Sequence, residues 1–303
     1  MVRLVLIFLI ITLPSCTFQK PGSLTVTCID VGQGDSLLIA FPNGKHWLVD
    51  AGGVPAGDTE TGADPGHRNV LSVLRAKAIQ SLDVVVMTHP DEDHVQGMLA
   101  VARHVPVSQV YWNGFEGSRT EQKVRKELMQ RGTRINVVKA GDVTRVGDVG
   151  VSVLSPPAEP IVGTRSPENE NSVILLIRYG TKSILLTGDV EEAGERKLLS
   201  TQGTEIRNIS LLKVAHHGSD SSSTSEFVRR TRPLIAFVSC GKRNRYGHPS
   251  NDVIKRLERV GADVYRTDQC GMLEWMTDGQ SEAVATLLPC NKNALREAQG
   301  VTN

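Results

Sequence analysis

The chain concentrates side chains that bind metals in one short stretch, residues 88–97. Four of them fall within six residues: His89, Asp91, Asp93 and His94. The apolar run before them, residues 84–87, predicts a buried strand, and Pro90 keeps His89 out of helical backbone angles. A strand that ends in such a loop directs imidazoles and carboxylates into one small space, as zinc or manganese requires. We therefore predict a metal site, in which Asp93 both binds metal and orients the nucleophile.

A second predicted buried strand, residues 209–214, is followed by His216, His217 and a glycine. Successive residues of a strand point to opposite faces, so the two imidazoles are not expected to bind the same ion. We assign His217 as a metal ligand and His216 as a contact to substrate phosphate, and the reverse assignment remains open. Asp189 ends another apolar strand and, on local grounds alone, could be the N-cap of the helix that follows it.

The first stretch, His-x-Asp-x-Asp-His, resembles the His-x-His-x-Asp-His signature of the metallo-β-lactamase superfamily, with Asp91 where the second histidine usually stands. Further motifs resemble the hydrolase domain of ComEC-type competence proteins. They are Asp-Val-Gly-Gln-Gly-Asp-Ser at 30–36, Val-Asp-Ala-Gly-Gly at 49–53, Lys-x-x-His-His-Gly-Ser at 213–219, Gly-His-Pro at 247–249 and Tyr-Arg-Thr-Asp at 265–268. The resemblance covers about residues 24–288. Those proteins also carry a long membrane channel region, which we do not expect here, so only the hydrolase role is carried over.

The resemblance implies two divalent ions, zinc or manganese, with Asp189 as the carboxylate that bridges them. Many members of the superfamily carry a further histidine ligand where this chain has Asn169 and Asn171. An amide oxygen is a weak, hard ligand, which would favour manganese at an oxygen-rich site. Ordinary turn chemistry is the alternative for both asparagines. We predict that Asn171 contacts substrate.

A basic loop follows the apolar run at residues 235–239. It contains Lys242, Arg243 and Arg245, then Tyr246 and His248. A solvated turn is the usual meaning of such a run, but beside a metal site it is suited to hold a phosphodiester. We predict that the three basic residues bind substrate. His248 and His216 are expected to hold the phosphate or to protonate the leaving group.

In both halves of the chain strands precede helices, and no linker separates the halves. We therefore predict an α/β fold in a single domain: a four-layer αββα sandwich over residues 24–290, followed by a tail at 291–303. The chain has 303 residues, 40% hydrophobic and 22% charged, as in soluble globular proteins. Basic and acidic residues nearly balance, 34 against 33, so net charge does not indicate a polyanionic partner.

The first sixteen residues have the features of a signal peptide: Arg3, an apolar run at 4–13, and Leu13-Pro14-Ser15-Cys16. The last four resemble a lipobox, so we expect a tether at 17–23 and an exported lipoprotein held to the membrane through a lipid anchor. Ordinary secretion and an uncleaved anchor are the alternatives. Lipidation would account for Cys16, and the other four cysteines form disulfides in one of three pairings or remain buried thiols.

Together these features predict an exported binuclear metallohydrolase that cleaves phosphodiester bonds, with DNA or a phosphocholine-like cell-wall decoration as substrate. Amide or ester hydrolysis, for instance of a β-lactam, is the alternative reaction. A module that binds nucleic acid or cell-wall polymer without turnover is the alternative of another class. No obligate protein partner is inferred.

Overall fold

Two β-sheets account for all fifteen strands of the described residues. The structure is a computed structural model that describes residues 22–54 and 64–290. The strands in chain order are β1 Leu24–Cys28, β2 Leu37–Ala40, β3 His46–Val49, β4 Leu82–Met87, β5 Val107–Trp112, β6 Arg134–Val137, β7 Val143–Val146, β8 Val149–Ser155, β9 Ile174–Tyr179, β10 Lys182–Leu186, β11 Leu211–Lys213, β12 Ile235–Val238, β13 Asp263–Arg266, β14 Leu273–Thr277 and β15 Glu282–Thr286. The eight-stranded sheet has the order β15-β14-β1-β2-β3-β4-β5-β6, and the seven-stranded sheet β13-β12-β11-β10-β9-β8-β7.

Nine α-helices of the described residues connect these strands. They are α1 Leu71–Ala76, α2 Glu92–Val95, α3 Met98–His104, α4 Arg119–Gln130, α5 Pro167–Glu170, α6 Glu192–Gln202, α7 Ser225–Thr231, α8 Asn251–Arg259 and α9 Thr267–Cys270. A π-helical turn, Gly66–Val70, precedes α1, and a 3-10 turn, Ala215–Gly218, follows β11. No helix in residues 22–54 or 64–290 is long and apolar enough to cross a membrane.

Three apolar clusters define the layers. The central one lies between the sheets and includes Trp275, Phe41 and Phe237, all fully buried. A second packs α1, α3 and α4 against the first sheet, and a third packs α6, α7 and α8 against the other. Because each sheet has one face on its partner and one under helices, its strands are apolar on both faces. The predicted four-layer αββα sandwich in a single domain is confirmed.

The helix that follows the metal-ligand loop is interrupted. α2 stops at Val95 and α3 starts at Met98. Gly97 lies at the break, and a Cβ atom there would stand 2.1 Å from the carbonyl oxygen of Ala51. The close approach of two backbones requires glycine and interrupts the helix.

Both predicted fates of the four remaining cysteines occur. Cys270 and Cys290 form a disulfide, with their Cα atoms 4.9 Å apart. Cys28 and Cys240 are buried free thiols. Cys16, the signal peptide at 1–16, most of the tether and the tail at 291–303 lie outside the described residues.

Candidate metal centre

The candidate centre lies where parallel strands of both sheets end. In the first sheet β3 and β4 run parallel, and Asp50 and His89 follow their carboxyl ends. In the second sheet β10 and β11 run parallel, and Asp189 and His217 follow theirs. The carboxyl ends of parallel strands meet at one edge, where open α/β sheets bind ligands. The fold thereby brings together residues from both halves of the chain.

His94 occupies the middle of the site and is fully buried. Its Nδ1 atom lies 2.8 Å from Oδ2 of Asp50, and its Nε2 atom lies 3.2 Å from Oδ2 of Asp189. Asp50 is held in turn by the backbone N–H of Thr88, at 2.9 Å, and by its hydroxyl, at 2.6 Å. Asp50 therefore fixes the orientation of the imidazole, so that Nε2 faces the site.

His217 enters from the second sheet, and Asp189 separates it from His94. Its Nε2 atom lies 3.2 Å from Oδ2 of Asp93 and 3.3 Å from Oδ2 of Asp189. Its Nδ1 atom faces the other way, 3.2 Å from Oδ1 of Asp35 and 3.1 Å from the carbonyl oxygen of Ser239. Ligand atoms of Asp35, His94, Asp189 and His217 all lie within 4.8 Å of one another.

His89 and Asp91 complete the same side of the site. The His89 ring is fully buried, and its centroid lies 4.1 Å from that of His94. The hydroxyl of Thr88 donates to Asp50, so it accepts from the Nδ1–H of His89, 3.0 Å away, and in the neutral tautomer this places the lone pair on Nε2. Nε2 stands 3.7 Å from Oδ2 of Asp91, a side chain that is half exposed at the rim.

The carboxylates and imidazoles of the cluster stabilise each other's charged forms. Burial alone would lower the pKa of His94, but the carboxylates of Asp189 and Asp50 hold that pKa well above its usual range. Asp189 and Asp35 do the same for the pKa of His217. Burial would raise the pKa of Asp93, but a hydrogen bond from His217 and the charge of His94 lower it to about 2. Without metal, the site is therefore a set of carboxylates neutralised by histidinium ions.

The two adjacent histidines are separated by a turn and not by the pleat of a strand, so the reasoning from strand alternation is wrong. β11 ends at Lys213, and His216 and His217 have positive φ angles of 48° and 54° in the 3-10 turn. His217 is buried in the cluster. His216 is partly exposed, with Nδ1 3.1 Å from Oε1 of Glu191 and Nε2 3.8 Å from Oδ2 of Asp189. This placement agrees with the assignment of His217 as ligand, which stays a prediction.

The Asn171 side chain is fully buried and hydrogen-bonded within its own loop, which speaks against its prediction as a substrate contact. Its amide nitrogen donates to the carbonyl oxygens of Ile161 and Pro167, at 2.8 and 2.7 Å. Its amide oxygen accepts from the backbone N–H of Ile161, at 2.9 Å. The side chain is fully buried and ties the loop before α5 in place, which is the turn chemistry weighed as the alternative.

The basic loop, residues 241–249, lies beside the cluster. The His248 ring is 5.7 Å from the His216 ring, and Tyr246 stacks on His248 with 5.8 Å between centroids. The guanidinium of Arg245 lies 5.0 Å from the centre of the Tyr246 ring. Burial and the charges of His217 and His216 lower the pKa of His248 to about 4, so His248 is neutral at pH 7. Lys242 and Arg243 are exposed on the same loop.

Residues 29–242 match the Metallo-beta-lactamase superfamily, which is more than half of the chain. The chain belongs to that superfamily. By class it is a metal-dependent hydrolase, and the superfamily binds a dinuclear divalent metal site.

Its relatives include ComEC-type competence proteins. ComE operon protein 3 of Bacillus subtilis is 34% identical over 261 residues, which cover 82% of this chain and 32% of that protein. Competence protein ComA of Neisseria gonorrhoeae is 29% identical over 255 residues, with the same coverages. Recombination protein 2 of Haemophilus influenzae is 27% identical over 252 residues, 82% of this chain and 28% of that protein. The chain thus spans about a third of the length of these relatives.

Solved structures share the superfamily fold at low identity. CmlA, a diiron β-hydroxylase from Streptomyces venezuelae, superposes with a TM-score of 0.51 at 14% identity, over 88% of this chain and 55% of CmlA. Tm1679, a metal-dependent hydrolase of the beta-lactamase superfamily, gives a TM-score of 0.50 at 14% identity, over 80% and 95% of the two chains. At these identities the likeness shows the fold alone.

The residues of the centre fit a divalent cation. Among the described residues, the buried side-chain atoms without a hydrogen bond of good geometry include Nε2 of His89, Nε2 of His94, Oδ1 of Asp189 and both carboxylate oxygens of Asp35. Of these, the two Nε2 atoms and the Asp35 oxygens have only ion-pair contacts. Buried polar atoms in this state are costly unless a ligand satisfies them. Imidazole nitrogens and carboxylate oxygens together are the donors that zinc and manganese take. The side chains that would hold such ions are His89, Asp91, Asp93, His94, Asp189 and His217.

Sequence reasoning did not identify three residues that the structure places around the ligands. Asp50 contacts His94, Asp35 contacts His217, and Glu191 contacts His216. Two of them stand in motifs already noted, at 30–36 and 49–53, which carry the resemblance to ComEC-type proteins but whose acids were given no role. The sequence did contain a signal for these two residues: each is an aspartate beside closely spaced glycines at the end of a strand.

Proposed function

We propose that this chain is a metal-dependent phosphodiesterase that acts on a polyanionic substrate, with nucleic acid as the class favoured. The observation that carries the proposal is the continuity between the basic loop and the cluster. Arg245, Tyr246, His248 and His216 form a row of ring contacts that ends 3.8 Å from Asp189. If one phosphate of a polymer lies at the cluster, its neighbouring phosphates would be within reach of Arg245 and the other basic residues of the loop.

The side chains divide the chemistry between binding and proton transfer. Divalent ions held by the histidines and carboxylates would supply Lewis acidity, to polarise a phosphoryl oxygen and to lower the pKa of water towards neutrality. Asp93, ionised because its pKa is about 2, orients the attacking water. His216, with Nδ1 held by Glu191, presents Nε2 to the phosphate or to the leaving oxygen. His248 holds the phosphate from the side of the basic loop.

The relatives support the substrate class. One of them is named as a competence protein, one as a recombination protein and one as ComE operon protein 3. A phosphocholine-like wall decoration carries isolated phosphates and would gain less from the basic residues of the loop, Lys242, Arg243 and Arg245. The half-exposed Asp91, where the superfamily signature has histidine, adds an oxygen donor, and harder ligand sets favour manganese.

The proposed location of the protein is outside the cytoplasm. Arg3, the apolar run at 4–13 and Cys16 support export followed by lipidation at the cysteine. Two free thiols, Cys28 and Cys240, are buried, and the Cys270–Cys290 disulfide is of the kind that persists in an oxidising compartment.

The test of this proposal is a comparison of substrates with one metal-loaded preparation. We expect manganese- or zinc-dependent turnover of bis-p-nitrophenyl phosphate and of single- or double-stranded DNA. Turnover of a chromogenic β-lactam without turnover of either phosphodiester would replace the proposal with amide hydrolysis. Tight binding of DNA with no turnover of any substrate would identify a binding module.

A further inference from the structure

Lys213 is a buried cation that the proposed reaction does not use. It lies at the end of β11 with 1% of its side chain exposed. Its ammonium is 2.5 Å from Oδ2 of Asp35 and donates to the carbonyl oxygen of Val214 at 2.8 Å. Burial of a charged ammonium is costly unless it is paired with an opposite charge. Asp35 supplies that charge for Lys213, so the other contacts of Asp35 indicate the role of the pair.

Each carboxylate oxygen of Asp35 contacts a different side chain. Oδ2 is held by Lys213, and Oδ1 lies 3.2 Å from Nδ1 of His217. The backbone of Asp35 is fixed as well, since its N–H donates to the carbonyl oxygen of Asp93 at 3.2 Å and its own carbonyl oxygen accepts from Gly52 at 2.8 Å. Each oxygen of Asp35 therefore faces a cation or an imidazole nitrogen, although neither makes a hydrogen bond of good geometry and Asp35 stands within the group of candidate ligands.

The contacts of His217 explain what the pair accomplishes. On the Nδ1 side the ring meets two acceptors, the Asp35 carboxylate and the carbonyl oxygen of Ser239. In the neutral ring Nδ1 must then carry the proton, and the lone pair is left on Nε2, which faces Asp93 and Asp189. His94 is oriented in the same manner, but its partner Asp50 is held by the neutral donors of Thr88.

We infer that Lys213 and Asp35 are positioning residues for His217, and that Asp35 is not itself a metal ligand. Lys213 holds Asp35 back from the ligand set, and Asp35 fixes the tautomer in which Nε2 of His217 is available to the ion. This inference rests on the proposed metal centre but not on the identity of the substrate.

The test uses the full chain, stripped of metal and titrated with Zn²⁺ against a chelating indicator. The variants are Asp35→Asn, Lys213→Met and the two together, with Lys182→Met as the matched control. Lys182 forms a largely buried ion pair with Glu282 at 3.2 Å, elsewhere in the fold. We expect Lys213→Met to weaken zinc binding about 10- to 100-fold without changing the number of ions bound at saturation. The double variant should recover wild-type affinity to within a few-fold, because Asn at position 35 still accepts from Nδ1–H and leaves no charge unpaired.

A second readout separates orientation from general stability. In zinc-loaded protein with isotope-labelled histidine, NMR should show an Nδ1–H signal that is absent from a His217→Gln variant. That signal should be lost or exchange-broadened in Lys213→Met, restored in the double variant and unchanged in Lys182→Met. Loss of this tautomer signal would not follow from a uniform loss of stability.

Two results would overturn the inference. A lower number of zinc ions bound at saturation in Asp35→Asn, with no rescue in the double variant, would make Asp35 a ligand. Wild-type zinc affinity and an unchanged His217 signal in Lys213→Met would make the ion pair irrelevant to the centre. If Lys213→Met does not fold, Lys213→Gln, which retains a donor for Asp35, is measured in its place. None of these readouts needs a substrate, so failure of the proposed phosphodiesterase activity would leave them interpretable.

Discussion

Asp50 and His94 meet with 2.8 Å between a carboxylate oxygen and Nδ1, although 43 residues separate them in the chain. The contact determines which nitrogen of His94 faces Asp189. Asp50 has a φ angle of 54°, a conformation that costs energy for a residue with a side chain. Such strain at a strand end is maintained by the contacts of Asp50 with Thr88 and His94.

Replacement of Asp50 by asparagine should weaken the centre without removing a ligand. An amide offers one acceptor where the carboxylate accepts from Thr88 twice and from His94. We expect metal affinity to fall about 10- to 100-fold, as for other partners of metal-binding histidines. The buried donors left unsatisfied should lower the free energy of unfolding by about 1–3 kcal/mol. Isothermal titration with metal and chemical denaturation measure the two effects. Asp83→Asn, which removes the partner of the exposed Lys45, is the control and should leave metal affinity unchanged.

Metal binding should release protons. In the metal-free protein the pKa values of His94 and His217 are raised well above 6.5, so both rings are largely protonated at neutral pH. A metal must displace these protons, and its apparent affinity should rise with pH. Calorimetric titrations in buffers of different ionisation enthalpy measure the number of protons released. Zero proton release at pH 7 would contradict the protonated state of the metal-free cluster.

The same shifts predict the pH dependence of stability without metal. A raised pKa in the folded state contributes stability that is fully present below 6.5 and is lost as pH rises through the raised value. The metal-free protein should therefore become less stable from pH 6.5 upwards, whereas the metal-loaded protein should not. Melting temperatures of both forms across this range make the comparison. An increase in the stability of the metal-free form above pH 6.5 would show that these rings are neutral.

The basic loop should contribute to the binding of polymeric substrates but not to the turnover of small ones. We expect Arg243→Ala with Arg245→Ala to raise KM for DNA and to reduce the slope of log affinity against log salt, by roughly 1.4 for single strands if both contact phosphate. Turnover of bis-p-nitrophenyl phosphate and metal content should change little. Arg207→Ala with Arg229→Ala makes the same charge change on exposed residues outside the loop. Equal losses on both substrates would mean that the loop supports the centre itself.

Cys16→Ser should release the exported protein from membranes. A lipid attached to Cys16 would be the anchor, and serine cannot carry a thioether-linked lipid. Fractionation of cells that express each form, with immunodetection, measures the change. Retention of the variant in the membrane fraction would point to an uncleaved N-terminal segment.

The buried strands could be predicted from the sequence because a strand that is buried on both faces is a short run of apolar residues. The buried strand predicted at residues 84–87 lies within β4, and the apolar run at 235–239 contains β12. β7 was missed because it is an edge strand with two of its four residues exposed, so it lacks the apolar signal of a buried strand.

Side-chain roles in the centre depended on tertiary contacts that no local pattern contains. The contact between Asp35 and Lys213 spans most of the chain, and neither residue alone indicates a pair. The direction of His216 and His217 follows from positive φ angles in a turn that was predicted as the end of a strand. Asn171 was assigned to substrate because of its position in a motif, whereas its hydrogen bonds bind the loop at Ile161.

The central claim is that side chains from both halves of the chain hold the ions that cleave a phosphodiester, and Asp189→Asn tests it most directly. Asp189 contacts both His94 and His217 and would be shared between the ions. Metal content at saturation and turnover of bis-p-nitrophenyl phosphate are measured on the same samples of wild type and variant. We expect both to fall together in the variant, with turnover reduced at least in proportion to the metal lost. Full metal content together with wild-type turnover in Asp189→Asn would contradict the central claim and would leave Asp189 with a purely structural role.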